Sequence, residues 1–226
     1  MPRTTTKPDL LGAIAGIAFA VLLFGSVFLV DPLTKATDQE LREWWADGGL
    51  RRDLLLSTYL RLLAGPCFLV FLTRLRARLR TNDLDGTWSD ITYGAGLAFV
   101  AMLTLSTFSR GLIAQAVRFA DEPIPGPDTL RYATQFSLEA YGLGAIPFAT
   151  MVVAAASLVI LRTGALPRWV GWFGLVVTAL SLVAVGLLIG AFATPLILLW
   201  VVGVSAQLFR THEIPVTSPA TSPAMA

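Results

Sequence analysis

Apolar and polar residues follow one another in long blocks along this chain. Leu10–Val30 is 21 residues without a charge, enough helix to cross a hydrocarbon core of about 30 Å. Further apolar blocks continue almost to the C-terminus, separated by short connectors. They predict a second span over Leu54–Thr73, a third from Trp88 to about Ala120 and a fourth from Asp128 to about Leu161. Trp169–Ile189 and Phe192–Phe209 are the fifth and sixth. The third and fourth blocks exceed what a bilayer requires. The fold class expected is all-α, a polytopic bundle of six transmembrane helices, with residues 10–210 as one membrane domain.

The breaks between blocks predict local detail. The first block is longer than the apolar region of a secretory signal, and no small-residue cleavage site follows it, so it reads as a retained helix. In the polar connector 31–52, Thr37-Asp38-Gln39-Glu40 has capping-box spacing, and Leu41, Trp44 and Trp45 share a helical face. This predicts a short interfacial helix between spans 1 and 2, ended by Gly48-Gly49; it serves as an anchor or as a lid over an opening. Glu122-Pro-Ile-Pro-Gly-Pro127 breaks the chain before the fourth span, with Asp128 as the expected N-cap. Pro66 and Pro147 are expected to kink their helices, and Pro195 fits the first turn of the sixth. Gly186 and Gly190 have the spacing that brings membrane helices together. The tail 211–226, with its Thr-Ser-Pro repeats, is expected to be a disordered cytoplasmic segment, and residues 1–9 a cytoplasmic N-terminus.

Charge then supplies an orientation. With the N-terminus inside, the inner segments hold Arg3, Lys7, Arg74, Arg76, Arg78, Arg80, Arg162, Arg168 and Arg210. The outer connectors hold Lys35, Arg42, Arg51, Arg52, Arg118 and Arg131, mixed with acids. The short loops decide the positive-inside rule, so both termini are placed in the cytoplasm of a bacterial inner membrane. The arginine-rich usage points to a bacterial source. Asp90 is expected to pair with the arginines that end the second span.

Composition mainly excludes. Hydrophobic residues are 55% and charged residues 14% of 226, which leaves no room for a sizeable soluble domain. A net charge of +2, spread over helix ends, argues against nucleic acid as a partner. Cys67 and His212 are the only cysteine and histidine, so no disulfide forms within the chain and a usual zinc or haem site lacks ligands. Cys67 reads as a buried, inert thiol. No phosphate loop, dinucleotide fingerprint, nucleophile elbow or HExxH helix is present, so no cofactor and no metal are expected.

The turn Arg162-Thr-Gly-Ala-Leu-Pro-Arg-Trp-Val-Gly-Trp172 resembles the LRTGxLPRWxGW signature of a family of uncharacterised six-helix bacterial integral membrane proteins, a domain of unknown function. Leu138-Glu139-Ala140-Tyr141-Gly142 and the arginine-rich end of the second helix are similar to that family too. The resemblance implies a six-helix fold and carries over no activity. The turn also has a local explanation. Gly164 supplies a helix C-terminus, Pro167 opens the next helix, Trp169 and Trp172 mark the interface, and Gly171 and Gly174 permit close packing.

Ionisable residues at membrane depth are the candidate functional groups, because charge there is costly. Counting at 1.5 Å per residue, Arg61 lies roughly 20 Å from Arg74, Arg110 roughly 33 Å from Trp88, and Glu139 roughly 35 Å from Arg162. All three fall in the outer half of the bundle, where Glu139 is within reach of Arg61 or Arg110. Tyr59, Ser106, Thr107, Ser109, Gln135 and Tyr141 lie at similar depths. The ligand-binding candidates are therefore Arg61, Arg110, Glu139 and Tyr141, and no catalytic residue is identified. They predict an outward-facing polar pocket that binds or passes a small anionic or amphiphilic, lipid-like ligand. The alternative is an accessory subunit packed against another membrane protein or a second copy of itself. Enzymatic activity is not expected, since no second acid or nucleophile accompanies Glu139.

Overall fold

A computed structural model of the protein describes residues 9–29, 37–80, 83 and 86–210. The expected tail 211–226, residues 1–8 and most of the first connector lie outside the described residues. Eight α-helices run in order: α1 (Leu10–Phe28), α2 (Asp38–Ala46), α3 (Gly48–Arg80), α4 (Thr87–Phe119), α5 (Pro127–Glu139), α6 (Ile146–Thr163), α7 (Arg168–Gly186) and α8 (Thr194–Phe209). A π-helical segment, Ala140–Ala145, joins α5 to α6, and a 3₁₀ turn, Gly190–Ala193, leads into α8. Among the described residues, six continuous helical stretches are long and apolar enough to cross a membrane. The chain is a multi-pass membrane protein.

The stretches pack in a ring with few shortcuts. Helix α1 lies between α3 and α8, α3 packs on α4, α4 on α6 and α5, and α6 on α7. Phe19 of α1, Phe68 of α3 and Phe99 of α4 interlock at the centre, with ring centroids 4.7, 5.0 and 6.0 Å apart. Around them the interior is filled by alanine, valine and leucine. One end of the bundle collects Arg74, Arg76, Arg78, Arg80, Arg162 and Arg168. There Arg76 donates to Asp90 at 2.7 and 3.1 Å, as the sequence predicts, and Arg162 stacks over Trp88 at 5.5 Å. Cys67 is half-buried and free, packed against the core's edge.

The turn before α7 is built as read. Gly164 takes a left-handed φ of 67° that a Cβ would strain, and Pro167 is the N-cap of α7. Trp169 and Trp172 are exposed. A Cβ on Gly174 would collide with Ser157 Oγ and the Trp200 indole, so this glycine sets the α6–α7–α8 spacing.

Three local expectations are corrected. Gly48-Gly49 does not end α2; it opens α3, because the Asp47 carboxylate accepts from the Gly49 and Leu50 N–H groups at 2.7 and 3.2 Å and so caps the new helix. Asp128 is not the N-cap of α5: Gly126 is, with Pro127 and then Asp128 in the first turn. Gly186 and Gly190 do not form a packing pair, because α7 ends at Gly186, which faces open space, and only Gly190 touches a neighbour.

Helix α2 forms as the capping box dictates, with Thr37 and Glu40 each bonded to the other's main chain. The main-chain N–H and then the hydroxyl of Thr37 donate to Glu40 and hold its carboxyl below the usual carboxylate range. The resulting stabilisation is present above that range and lost as pH falls through the depressed value. Thr37→Ala is expected to weaken the helix by about 1 kcal/mol, read as hydrogen-exchange protection of residues 40–46. It is also expected to reduce this acid-side dependence without abolishing it, since the main-chain N–H of residue 37 still donates to Glu40. Leu41 and Trp45 are buried in a small cluster with Leu54, Leu55, Ala114 and Leu130, and Arg131 of α5 holds Asp38 at 2.6 Å. The helix is therefore docked on α3, α4 and α5.

Candidate functional site

The docked α2 lies beside a cleft at the end of the bundle opposite Arg74–Arg80. Helix α3 lines the cleft with Leu54, Ser57, Thr58 and Arg61, α4 with Thr107 and Arg110, and α5 with Ser137. It contains about 270 Å³ of empty space, part of which is open to the outside. The lining follows from helical spacing: Ser57, Thr58 and Arg61 share a face of α3, and Thr107 and Arg110 share a face of α4. Helices α3 and α4 approach closely because Gly111 faces Thr58, where a Cβ would lie 2.7 Å from Thr58 Cγ2.

The two arginines are held differently. Arg61 is half-buried, and its Nε donates to Ser26 Oγ of α1 at 3.1 Å. Ser26 is tied in turn, donating to Leu23 O at 2.7 Å and accepting at its carbonyl from Ser57 Oγ at 2.8 Å. The Arg61 guanidinium lies 5.9 Å from the centroid of the Tyr141 ring. Tyr141 is buried and belongs to the π-helical segment; its hydroxyl bonds Thr194 Oγ1 at 2.8 Å, and Thr194 donates onward to Ala191 O. Tyr141 thus supports Arg61 from beneath the cleft.

Arg110 is only 8% exposed, yet its Nε and Nη2 are buried with no hydrogen-bond partner. Its guanidinium lies 5.8 Å from the Trp44 ring of α2. No acidic residue lines the cleft, and neither arginine forms an ion pair among the described residues. Among the described residues, two guanidiniums therefore share one cleft with hydroxyls, Leu54 and aromatic faces around them. Such a space has a strongly positive potential and unused donors in a fixed fork.

Glu139 does not join them. It is exposed and accepts from Gln135 Nε2 at 2.7 Å. The reason is angular: Ser137 faces the cleft, and a residue two positions on points to the opposite side of a helix. Tyr59 and Gln135 also point outward. Of the four candidates, Arg61 and Arg110 line one cleft, Tyr141 underlies it and Glu139 lies outside. The sequence reading missed Ser26, Ser57, Thr58 and Ser137. The i, i+3 and i, i+4 spacing of Ser57 and Thr58 to Arg61 is the signal that marks two of them. Ser26 and Ser137 carry no such signal, being brought in by other helices. In comparisons with known proteins, no family model matches the chain, and no curated protein and no solved structure matches it either.

Proposed function

We propose that this protein binds a small anionic group, of the kind carried by a lipid headgroup, in the cleft between Arg61 and Arg110. In this reading it resides in the bacterial cytoplasmic membrane with both termini inside. The cleft, opposite the arginine-rich end, then faces outward at the level of the outer leaflet. The observation that carries the proposal is Arg110, buried with two unused N–H-bearing nitrogens in a cleft that no carboxylate lines among the described residues. A buried charge is retained at high cost unless it is paired. Here the cost is met when an anion enters. The half-buried, tethered Arg61 supplies a second donor fork and limits the motion needed to clasp the ligand.

Native mass spectrometry of the detergent-purified protein tests this with dioctanoyl phosphatidylglycerol against dioctanoylglycerol, which lacks the phosphate. The wild type is expected to retain the phosphate-bearing lipid selectively. Each charge-assisted hydrogen bond contributes about 1.5–3 kcal/mol, so the Arg61→Gln/Arg110→Gln variant is expected to retain it at least roughly tenfold less. Equal retention by the variant and the wild type would overturn the assignment.

A further inference from the structure

The hydrogen-bonding groups that wall the cleft divide by kind. Ser57, Thr58, Thr107 and Ser137 each contribute a hydroxyl, and each already donates its single proton to a main-chain carbonyl. Ser57 donates to Ser26 O at 2.8 Å, Thr58 to Leu54 O at 2.8 Å, Thr107 to Leu103 O at 2.7 Å and Ser137 to Ser106 O at 2.7 Å. A hydroxyl has one proton and two lone pairs, so in this arrangement all four offer lone pairs, and any that turned to donate to a ligand would give up its carbonyl bond. The Ser57 bond is hard to exchange. The Ser26 carbonyl lies in the last turn of α1, and Ser57 ties it to α3. The free donors of the cleft are therefore guanidinium N–H groups, and the free acceptors are hydroxyl oxygens.

A donor-free oxyanion meets only half of that inventory. It takes the guanidinium protons and then sets its remaining lone pairs against hydroxyl oxygens whose protons are already engaged by main-chain carbonyls. A ligand that brings a hydrogen-bond donor beside its oxyanion meets both halves. An ammonium donor would add a positive charge next to two guanidiniums, which a confined space penalises. A hydroxyl adds none. We propose that the cleft selects a hydroxylated phosphate ester, of glycerol-phosphate type, over a donor-free phosphate ester of the same charge. The proposal rests on the anion-binding reading above and names its ligand class.

Dioctanoyl phosphatidylglycerol and dioctanoyl phosphatidylmethanol carry the same charge and differ in the hydroxyls of the headgroup. By competition in native mass spectrometry, the wild type is expected to hold the former about tenfold more tightly. Ser137→Ala and, separately, Thr107→Val each remove one acceptor. Each is expected to narrow the ratio to about threefold by weakening phosphatidylglycerol more than phosphatidylmethanol; a merely structural effect would shift both lipids together and keep the ratio. Glycerol 3-phosphate against methyl phosphate repeats the comparison without acyl chains. Preference for the hydroxylated member in this pair alone supports the same chemistry with a soluble source. Equal binding within both pairs, lost in Arg61→Gln/Arg110→Gln, overturns the selectivity and leaves the anion site standing. No binding of any of the four overturns both.

Discussion

Arg110→Met is expected to raise the unfolding temperature of the ligand-free protein while removing its hold on an anionic lipid. Methionine matches the length of the arginine stem and fills the same space. It removes a guanidinium that is 8% exposed and has two nitrogens without partners. Relieving a buried, uncompensated charge is worth about 1–4 kcal/mol, or a rise of a few degrees for a chain of this size. Arg61→Met is expected to act in the opposite direction. Arg61 bonds Ser26 and faces Tyr141, so its loss loosens α1 from α3 and strips a partner from a buried hydroxyl. Thermal unfolding in detergent, with and without dioctanoyl phosphatidylglycerol, reads both. A fall in the unfolding temperature of ligand-free Arg110→Met would mean that Arg110 is a structural clamp and not a charge kept for a ligand.

The second large effect is expected at Gly190, far from Arg110 in sequence. A Cβ there would collide with the carbonyl oxygen of Gly142, which is main chain and cannot swing aside as a side-chain tip can. Gly142 lies in the π-helical segment that presents Tyr141, and the 3₁₀ turn at Gly190–Ala193 leads to Thr194, which receives the Tyr141 hydroxyl. Gly190→Ala is thus expected to cost about 3 kcal/mol and to weaken lipid retention through displacement of Tyr141 and Arg61. Gly186→Ala, four residues earlier, meets nothing within 4 Å and is expected to be neutral or to stabilise by about 0.5 kcal/mol. The pair separates a steric requirement from a general intolerance of side chains in this region. Equal unfolding temperatures for the two variants would show that the Gly190–Gly142 contact is not under constraint.

How far the site could be read in advance depends on the residue. Arg61 and Arg110 stood out because a charge inside an apolar block needs no partner to be conspicuous. Their common depth followed from counting residues along straight helices. Glu139 satisfied the same count and still failed, because depth leaves open the direction in which a side chain points. Direction is set by rotation about the helix axis. In α5 that rotation turns Ser137 to the cleft, so Glu139, two positions on, points away from it. A π-helical segment, Ala140–Ala145, precedes Pro147, and Tyr141 within it is buried while Glu139 before it is exposed. The corrected cap at Asp47 has a similar origin. A glycine pair reads as a stop, but the carboxylate before it supplies the acceptor that starts the next helix.

By itself the sequence determined the number, length and order of the spans, the short capped helix α2 and the turn at Gly164–Pro167. Each of these is settled by free energies that add up within about twenty neighbouring residues: transfer of apolar surface, satisfaction of helix ends and the backbone limits of glycine and proline. Only the tertiary structure decided that Arg61 and Arg110 share one cleft, that α2 docks beside it and that Glu139 is left out. Those outcomes depend on the rotation and mutual approach of α1, α3, α4 and α5. These are fixed by contacts between residues far apart in the chain, such as Ser26 with Arg61 and Gly111 with Thr58.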